Sequence, residues 1–134
     1  MKKLLQLLLL LLSIQVFSQK DLQENYTKTE VYIPMRDGVK LYTAIYTPKD
    51  ISKDKKYPML MQRTCYSIAP YGEENYRRSL GPNSFLQKDK YIFVYQDVRG
   101  RWMSEGDFDN MRPHITGNDV NNKKDIDESS DTYD

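Results

Sequence analysis

The run Tyr91-Ile-Phe-Val-Tyr-Gln96 constrains this chain more than any other feature. Five of its six residues are β-branched or aromatic, and the run is apolar nearly throughout. That pattern is typical of a central strand covered on both faces. A strand of this kind needs packed layers on either side, so the expected fold class is α/β.

The upstream sequence supplies partners. After a polar lead from Lys20 to Lys28, Val31 and Ile33 alternate with polar neighbours until Pro34 closes the run. Asp37-Gly38 predicts a tight type I′ turn, which needs φ > 0 at both central positions. Beyond it, Val39, Leu41, Thr43 and Ile45 fall on one face, with Lys40, Tyr42, Ala44 and Tyr46 on the other. These segments predict an antiparallel hairpin ended by Pro48, followed by a charged connection over 49–56. Residues 58–62 read as a short buried strand. Glu73 to Leu80 has helical composition with weak amphipathicity, and Asn83 to Gln87 reads as a capped helical turn with Phe85 and Leu86 inward. From Asp97 to Lys124 the sequence is polar and loop-like. The acidic tail 125–134, with Ser129 and Ser130 as caps, predicts a helix start, because carboxylates complement the positive end of the helix dipole. A hairpin followed by crossover strands predicts the first part of an α/β sheet with its remaining strands missing. The last strand would then leave an apolar edge open to aggregation.

The compartment is set by the N-terminus. Lys2 and Lys3 precede an apolar stretch, Leu4 to Phe17, interrupted by Gln6, Ser13 and Gln15. Val16 and Ser18 stand where a signal peptidase reads, which places cleavage before Gln19. The stretch falls short of the roughly 20 apolar residues a bilayer span requires, and no cysteine follows it to carry a lipid. The expectation is a signal peptide over 1–18, an exported product (periplasmic or secreted), and no membrane attachment after cleavage. Removing that segment and its two lysines moves the net charge from +1 to −1. Neither balance invites nucleic acid. Cys65 is the only cysteine in 134 residues, so no internal disulfide framework exists. It is expected to be a small buried residue.

Ligands of α/β sheets bind beyond the carboxyl ends of the strands. Two such loops stand out, one starting at Arg63 and one at Asp97. Together with their surroundings they form an ordered series: Met35-Arg-Asp-Gly-Val-Lys-Leu41, Arg63-Thr-Cys-Tyr-Ser67, Gln96-Asp-Val-Arg-Gly-Arg-Trp102, Ser104-Glu-Gly106 and Asp127-Glu-Ser-Ser-Asp131. The series resembles the α-amino acid ester hydrolases, within the wider family of X-Pro dipeptidyl-peptidases, cocaine esterase and glutaryl cephalosporin acylases. The resemblance covers about residues 29–134. It implies an α/β-hydrolase core with a Ser-Asp-His triad, whose serine sits in a G-x-S-Y-x-G-type elbow.

No glycine of this chain has a serine two residues on, so nucleophile, acid and histidine are all absent from it. The expectation is residues 19–134 as the N-terminal portion of a catalytic domain, truncated before the elbow and inert alone. His114, the only histidine, precedes the place of a triad histidine, and Ser129 and Ser130 lack elbow glycines. The resemblance implies that Tyr66 is an oxyanion-hole donor through its hydroxyl. Cys65 stands where that family usually has proline, which leaves the loop less stiff. Asp97, Arg99 and Gly100 are implied to shape the turn beneath the site, with Arg99 in buried ion pairs. Trp102 is the candidate substrate-binding residue, with simple packing as its alternative. Nothing in the spacing of Glu105 and Asp107 demands an ammonium site. The tail lacks the glycine and glutamate of an EF-hand.

The implied parent is a serine hydrolase of α-amino acyl esters or amides, including short peptides. No metal or organic cofactor is implied, and some of the resembled enzymes oligomerise. The alternative is a secreted, non-catalytic, tyrosine-rich module that binds sugars or peptides on some of its eleven tyrosines.

Overall fold

A computed structural model describes residues 21–134. The signal-peptide reading lies outside the described residues. Among these residues no helix is long and apolar enough to cross a membrane. The strands are β1 (Tyr26–Pro34), β2 (Lys40–Pro48), β3 (Met59–Thr64) and β4 (Ile92–Asp97), in one four-stranded sheet of order β1-β2-β4-β3. Residues 21–25 are helical, and two further short helices are α1 (Ser84–Lys88) and α2 (Glu128–Tyr133).

β4 is internal, as its sequence predicts: Phe93, Val94, Tyr95, Gln96 and Asp97 are all buried. Ile92 N–H donates to Pro58 C=O and Val98 N–H to Thr64 C=O. The two partners advance together along the chain, so β3 and β4 run parallel. β4 is therefore no open edge. The edges are β1 and β3, and within these residues the expected buried strand over 58–62 is left exposed, with Met59 at 64%. An apolar run does not encode which neighbours will cover it.

β1 starts at Tyr26, inside the expected polar lead, because Tyr26 and Lys28 face inward while Thr27 and Thr29 face out. β2 is buried on both faces from Leu41 to Ala44, so the expected one-sided alternation fails there. The hairpin forms at Asp37-Gly38, but only Gly38 has positive φ, at 92°. Gly38 N–H closes on Met35 C=O, and Met35 N–H on Val39 C=O. This is the three-residue loop with glycine in the left-handed position, not a two-residue type I′ turn. No helix forms over 73–80. The expected turn at Asn83 does form, its side chain accepting from Phe85 and Leu86 N–H, yet Phe85 is 71% exposed. In α2 the cap is Asp127 rather than Ser129, and Ser130 closes a reciprocal capping box.

The chain packs as two compact units. One comprises the described residues up to Thr29 with Ile45–Met61 and Ala69–Val94; the other comprises Glu30–Ala44, Gln62–Ile68 and Tyr95–Asp134. In the first, Leu22, Tyr26, Tyr46, Leu80 and Phe93 form the core. Tyr26 and Phe93 pack with ring centroids 6.1 Å apart, and the Tyr26 hydroxyl donates to Gln87 C=O at 3.0 Å. Burial pushes the Tyr26 phenol up to about 12. Gly81 (φ 67°) is required beneath Phe93, because a Cβ there would lie 2.5 Å from the ring. The buried Lys28 ammonium donates to the carbonyls of Pro70, Gly72 and Asn75 at 2.7, 2.8 and 2.9 Å. Those bonds shape residues 70–75 without a helix.

Candidate active site

The site of interest lies wholly within the second unit. Its floor is Asp97, the last residue of β4 and fully buried. Asp97 Oδ1 accepts the Ile68 N–H at 3.0 Å, and its carbonyl accepts the Ser104 hydroxyl at 2.6 Å. One residue, through its carboxylate and its backbone carbonyl, thus joins the loop after β3 to the loop after β4. Ser104 also accepts the Tyr42 N–H at 2.8 Å, which ties the second loop to β2.

Beneath the loops, Arg99 is buried with its guanidinium shared between Asp37 (Nη1–Oδ2, 2.7 Å) and Asp131 (Nε–Oδ2, 3.0 Å). This agrees with the expected buried ion pairs. Burial opposes the charge, but the bonds to Asp131 and Asp37 outweigh it and hold the guanidinium above its ordinary value. Gly100 allows the tight return that follows. At φ 68° it approaches the Phe108 backbone so closely that a Cβ would lie 2.0 Å from the amide nitrogen. Arg63, at the end of β3, bonds Gln96 Oε1 at 2.7 Å and Glu128 Oε2 at 2.9 Å, which draws α2 to the same place.

Above this floor Tyr66 projects outward, 85% exposed. Its backbone is fixed even so. Tyr66 N–H donates to Thr64 Oγ1 at 3.0 Å, and Ser67 follows at φ 82°, a left-handed conformation unusual for serine. Trp102, also left-handed at φ 52°, donates its indole N–H to Cys65 C=O at 2.9 Å. The structure therefore brings the two candidate residues, Tyr66 and Trp102, to one junction. Cys65 is half-buried rather than fully buried. A depression of about 270 Å³ opens beside it, lined by Cys65, Tyr66, Phe108, Met111, Asp109 and Glu128 among others.

The remaining polar candidates serve structure. His114 Nδ1 lies 3.0 Å from Asp127 Oδ2, and Ser130 belongs to the cap of α2. Among the described residues no group of three or more His, Cys, Asp or Glu side chains could hold a metal ion. Sequence reasoning missed Thr64 and Arg101, both of which bond this loop. A threonine two residues before a loop tyrosine was the available signal, since its hydroxyl readily bonds an N–H two residues on.

A family model described as X-Pro dipeptidyl-peptidase (S15 family) matches residues 37–134. The chain belongs to that family. The match contains Arg63 to Ser67, the whole Asp97 loop and α2. Cocaine esterase from Rhodococcus sp. (strain MB1 Bresler) is 35% identical over 95 residues, covering 68% of this chain and 15% of the esterase. Among solved structures, an aminopeptidase from a marine sediment archaeon, Thaumarchaeota archaeon, superposes with a TM-score of 0.61 at 36% identity, covering 81% of this chain and 18% of that one. An α-amino acid ester hydrolase gives 0.59 at 39% identity, covering 80% and 17%. The fold is accordingly the N-terminal part of an α/β-hydrolase-like domain. The chain spans less than a fifth of the length of each of these relatives, and the S15 family and its relatives are hydrolases.

Proposed function

We propose that this chain forms the opening part of an exported serine hydrolase that cleaves α-amino acyl esters or amides, short peptides included. In this reading Tyr66 supplies one of the two donors of the oxyanion hole. The observation that carries it is the combination at Tyr66: an exposed phenol on a fixed backbone, just beyond the carboxyl end of a parallel strand. A donor for an oxyanion must be reachable by substrate and must not reorganise when charge develops. The relatives' names, an aminopeptidase and two ester hydrolases, support the substrate class. The serine nucleophile, its acid and its histidine come from sequence beyond these residues, and the 134 residues alone are inert. Export rests on Lys2, Lys3 and the apolar stretch to Phe17. No observation favours the non-catalytic tyrosine-rich module.

The test uses the full-length protein and a p-nitrophenyl amino-acid ester. Tyr66→Phe should lower kcat on the order of 10²–10³-fold with little change in KM. Unchanged kcat would reduce Tyr66 to an exposed surface residue. A serine-directed fluorophosphonate should label the full-length protein and leave residues 19–134 alone unlabelled. A mature N-terminus at Gln19 checks export.

A further inference from the structure

The peptide unit joining Cys65 to Tyr66 is held at both ends by side chains. Its N–H donates to Thr64 Oγ1 at 3.0 Å. Its carbonyl accepts two donors, Trp102 Nε1 at 2.9 Å and Arg101 Nε at 3.3 Å. A carbonyl oxygen has two lone pairs and both are engaged. This peptide cannot swing without breaking three hydrogen bonds, and its orientation sets the direction in which the Tyr66 side chain leaves the backbone.

The donors are themselves held in place. Trp102 adopts φ 52°, a conformation sparsely populated outside glycine and often found where a side chain must be aimed. The Arg101 guanidinium lies 4.8 Å from the Phe108 ring centroid and 6.0 Å from that of Trp102, stacked rather than free in solvent. Cys65 has no ring to restrict its φ, as proline would. The two side-chain donors supply from outside the constraint that the residue lacks.

We propose that Trp102 is a positioning residue: its indole N–H, assisted by Arg101, holds the Cys65–Tyr66 peptide and thereby aims the Tyr66 hydroxyl. This rests on the reading of Tyr66 as oxyanion donor. It gives Trp102 a task carried out through the backbone rather than by touching the acyl group.

The experiment is a double-mutant cycle in the full-length hydrolase. Trp102→Phe keeps an aromatic ring against Arg101 and removes the N–H together with one ring of the indole. It should lower kcat roughly 10–100-fold through misplacement of the donor, with KM moving less than about twofold. The Tyr66→Phe/Trp102→Phe protein should be no slower than Tyr66→Phe alone, because no hydroxyl remains to be aimed. Arg101→Met should reproduce the effect in weaker form, and it serves as the second variant if Trp102→Phe does not fold. Wild-type kcat in both variants would overturn the proposal, as would losses that multiply with Tyr66→Phe or a KM that rises with acyl-group size. If Tyr66→Phe itself keeps wild-type kcat, the oxyanion reading fails, and positioning is then judged by spectroscopy. With 3-fluorotyrosine incorporated, the ¹⁹F line that disappears in Tyr66→Phe should shift and broaden in Trp102→Phe. An unmoved line would overturn it.

Discussion

The two compact units are built on different chemistry. The first closes on aromatic and aliphatic side chains, and among its described residues Lys28 is the single buried charge. The second also buries apolar side chains, Leu41, Tyr42, Ile68 and Val98 among them, but adds Thr43, Gln96, Asp97, Arg99, Asp127, Ser130 and Asp131. Apolar packing is non-directional and tolerates small shifts, whereas a buried carboxylate or guanidinium is stable only when its partners sit at defined distances and angles. The unit that carries the loops after β3 and β4 is therefore the one whose interior specifies geometry. Asp97 and Arg99 lie directly under those loops. The cost is sensitivity to any loss of charge.

The largest expected effect tests that sensitivity. Asp131→Asn changes no volume, but it leaves the buried Arg99 guanidinium with Asp37 as its one remaining ionic partner. Removing one partner of a buried pair typically costs about 3–5 kcal/mol. Urea unfolding of the full-length protein should show a loss of that size. A loss under about 1 kcal/mol would mean that the network is as forgiving as a surface ion pair, and the contrast between the units would collapse.

The same contrast explains what was legible in the sequence. β4 could be read because an apolar run is local and contiguous. The hairpin was placed correctly by Asp37-Gly38, while its turn type depended on one extra residue in the loop, a matter of register between two strands. Met59 and Phe85 were expected inward and stand outward, since composition states what could be buried and not what is available to cover it. Residues 73–80 have helical composition, yet the carbonyls of Pro70, Gly72 and Asn75 go to Lys28, 42 to 47 positions away. At the site, Tyr66 and Arg99 were accessible only through an ordered set of motifs. The bonds from Trp102 and Arg101 to a backbone carbonyl leave no periodic trace, because any residue at position 65 would offer the same acceptor.

The first unit should respond differently to an equally conservative change. Phe93 packs against Tyr26 and over Gly81. Phe93→Leu removes an aromatic contact but leaves every polar group satisfied, so neighbouring side chains can partly fill the space. The expected loss is about 1.5 kcal/mol or less, measured in the same urea titration. A loss equal to that of Asp131→Asn would show that the aromatic core is as geometrically demanding as the charged one. The ranking of the two variants decides the comparison, rather than either value alone.

The smallest effect separates two kinds of polar contact within the second unit. Asp127 accepts Ser130 N–H at 2.7 Å and Ile115 N–H at 2.9 Å, and His114 lies beside it. The two backbone donors hold its carboxyl down at about 2, against 3.8 ordinarily, with His114 adding a lesser pull. Because the folded value lies below the ordinary one, this stabilisation is complete above about pH 4 and is lost as pH falls through about 2. Asp127→Ala should cost about 1 kcal/mol at neutral pH, as loss of a helix cap does, and should flatten the dependence of stability on pH between 4 and 2. The His114 side chain is 67% exposed, so His114→Ala should cost well under that amount. If the two variants cost the same, the stabilisation lies in the ion pair and the cap is incidental. If only Asp127→Ala flattens the acid limb, the backbone N–H groups are what hold α2 beneath the Tyr66 loop.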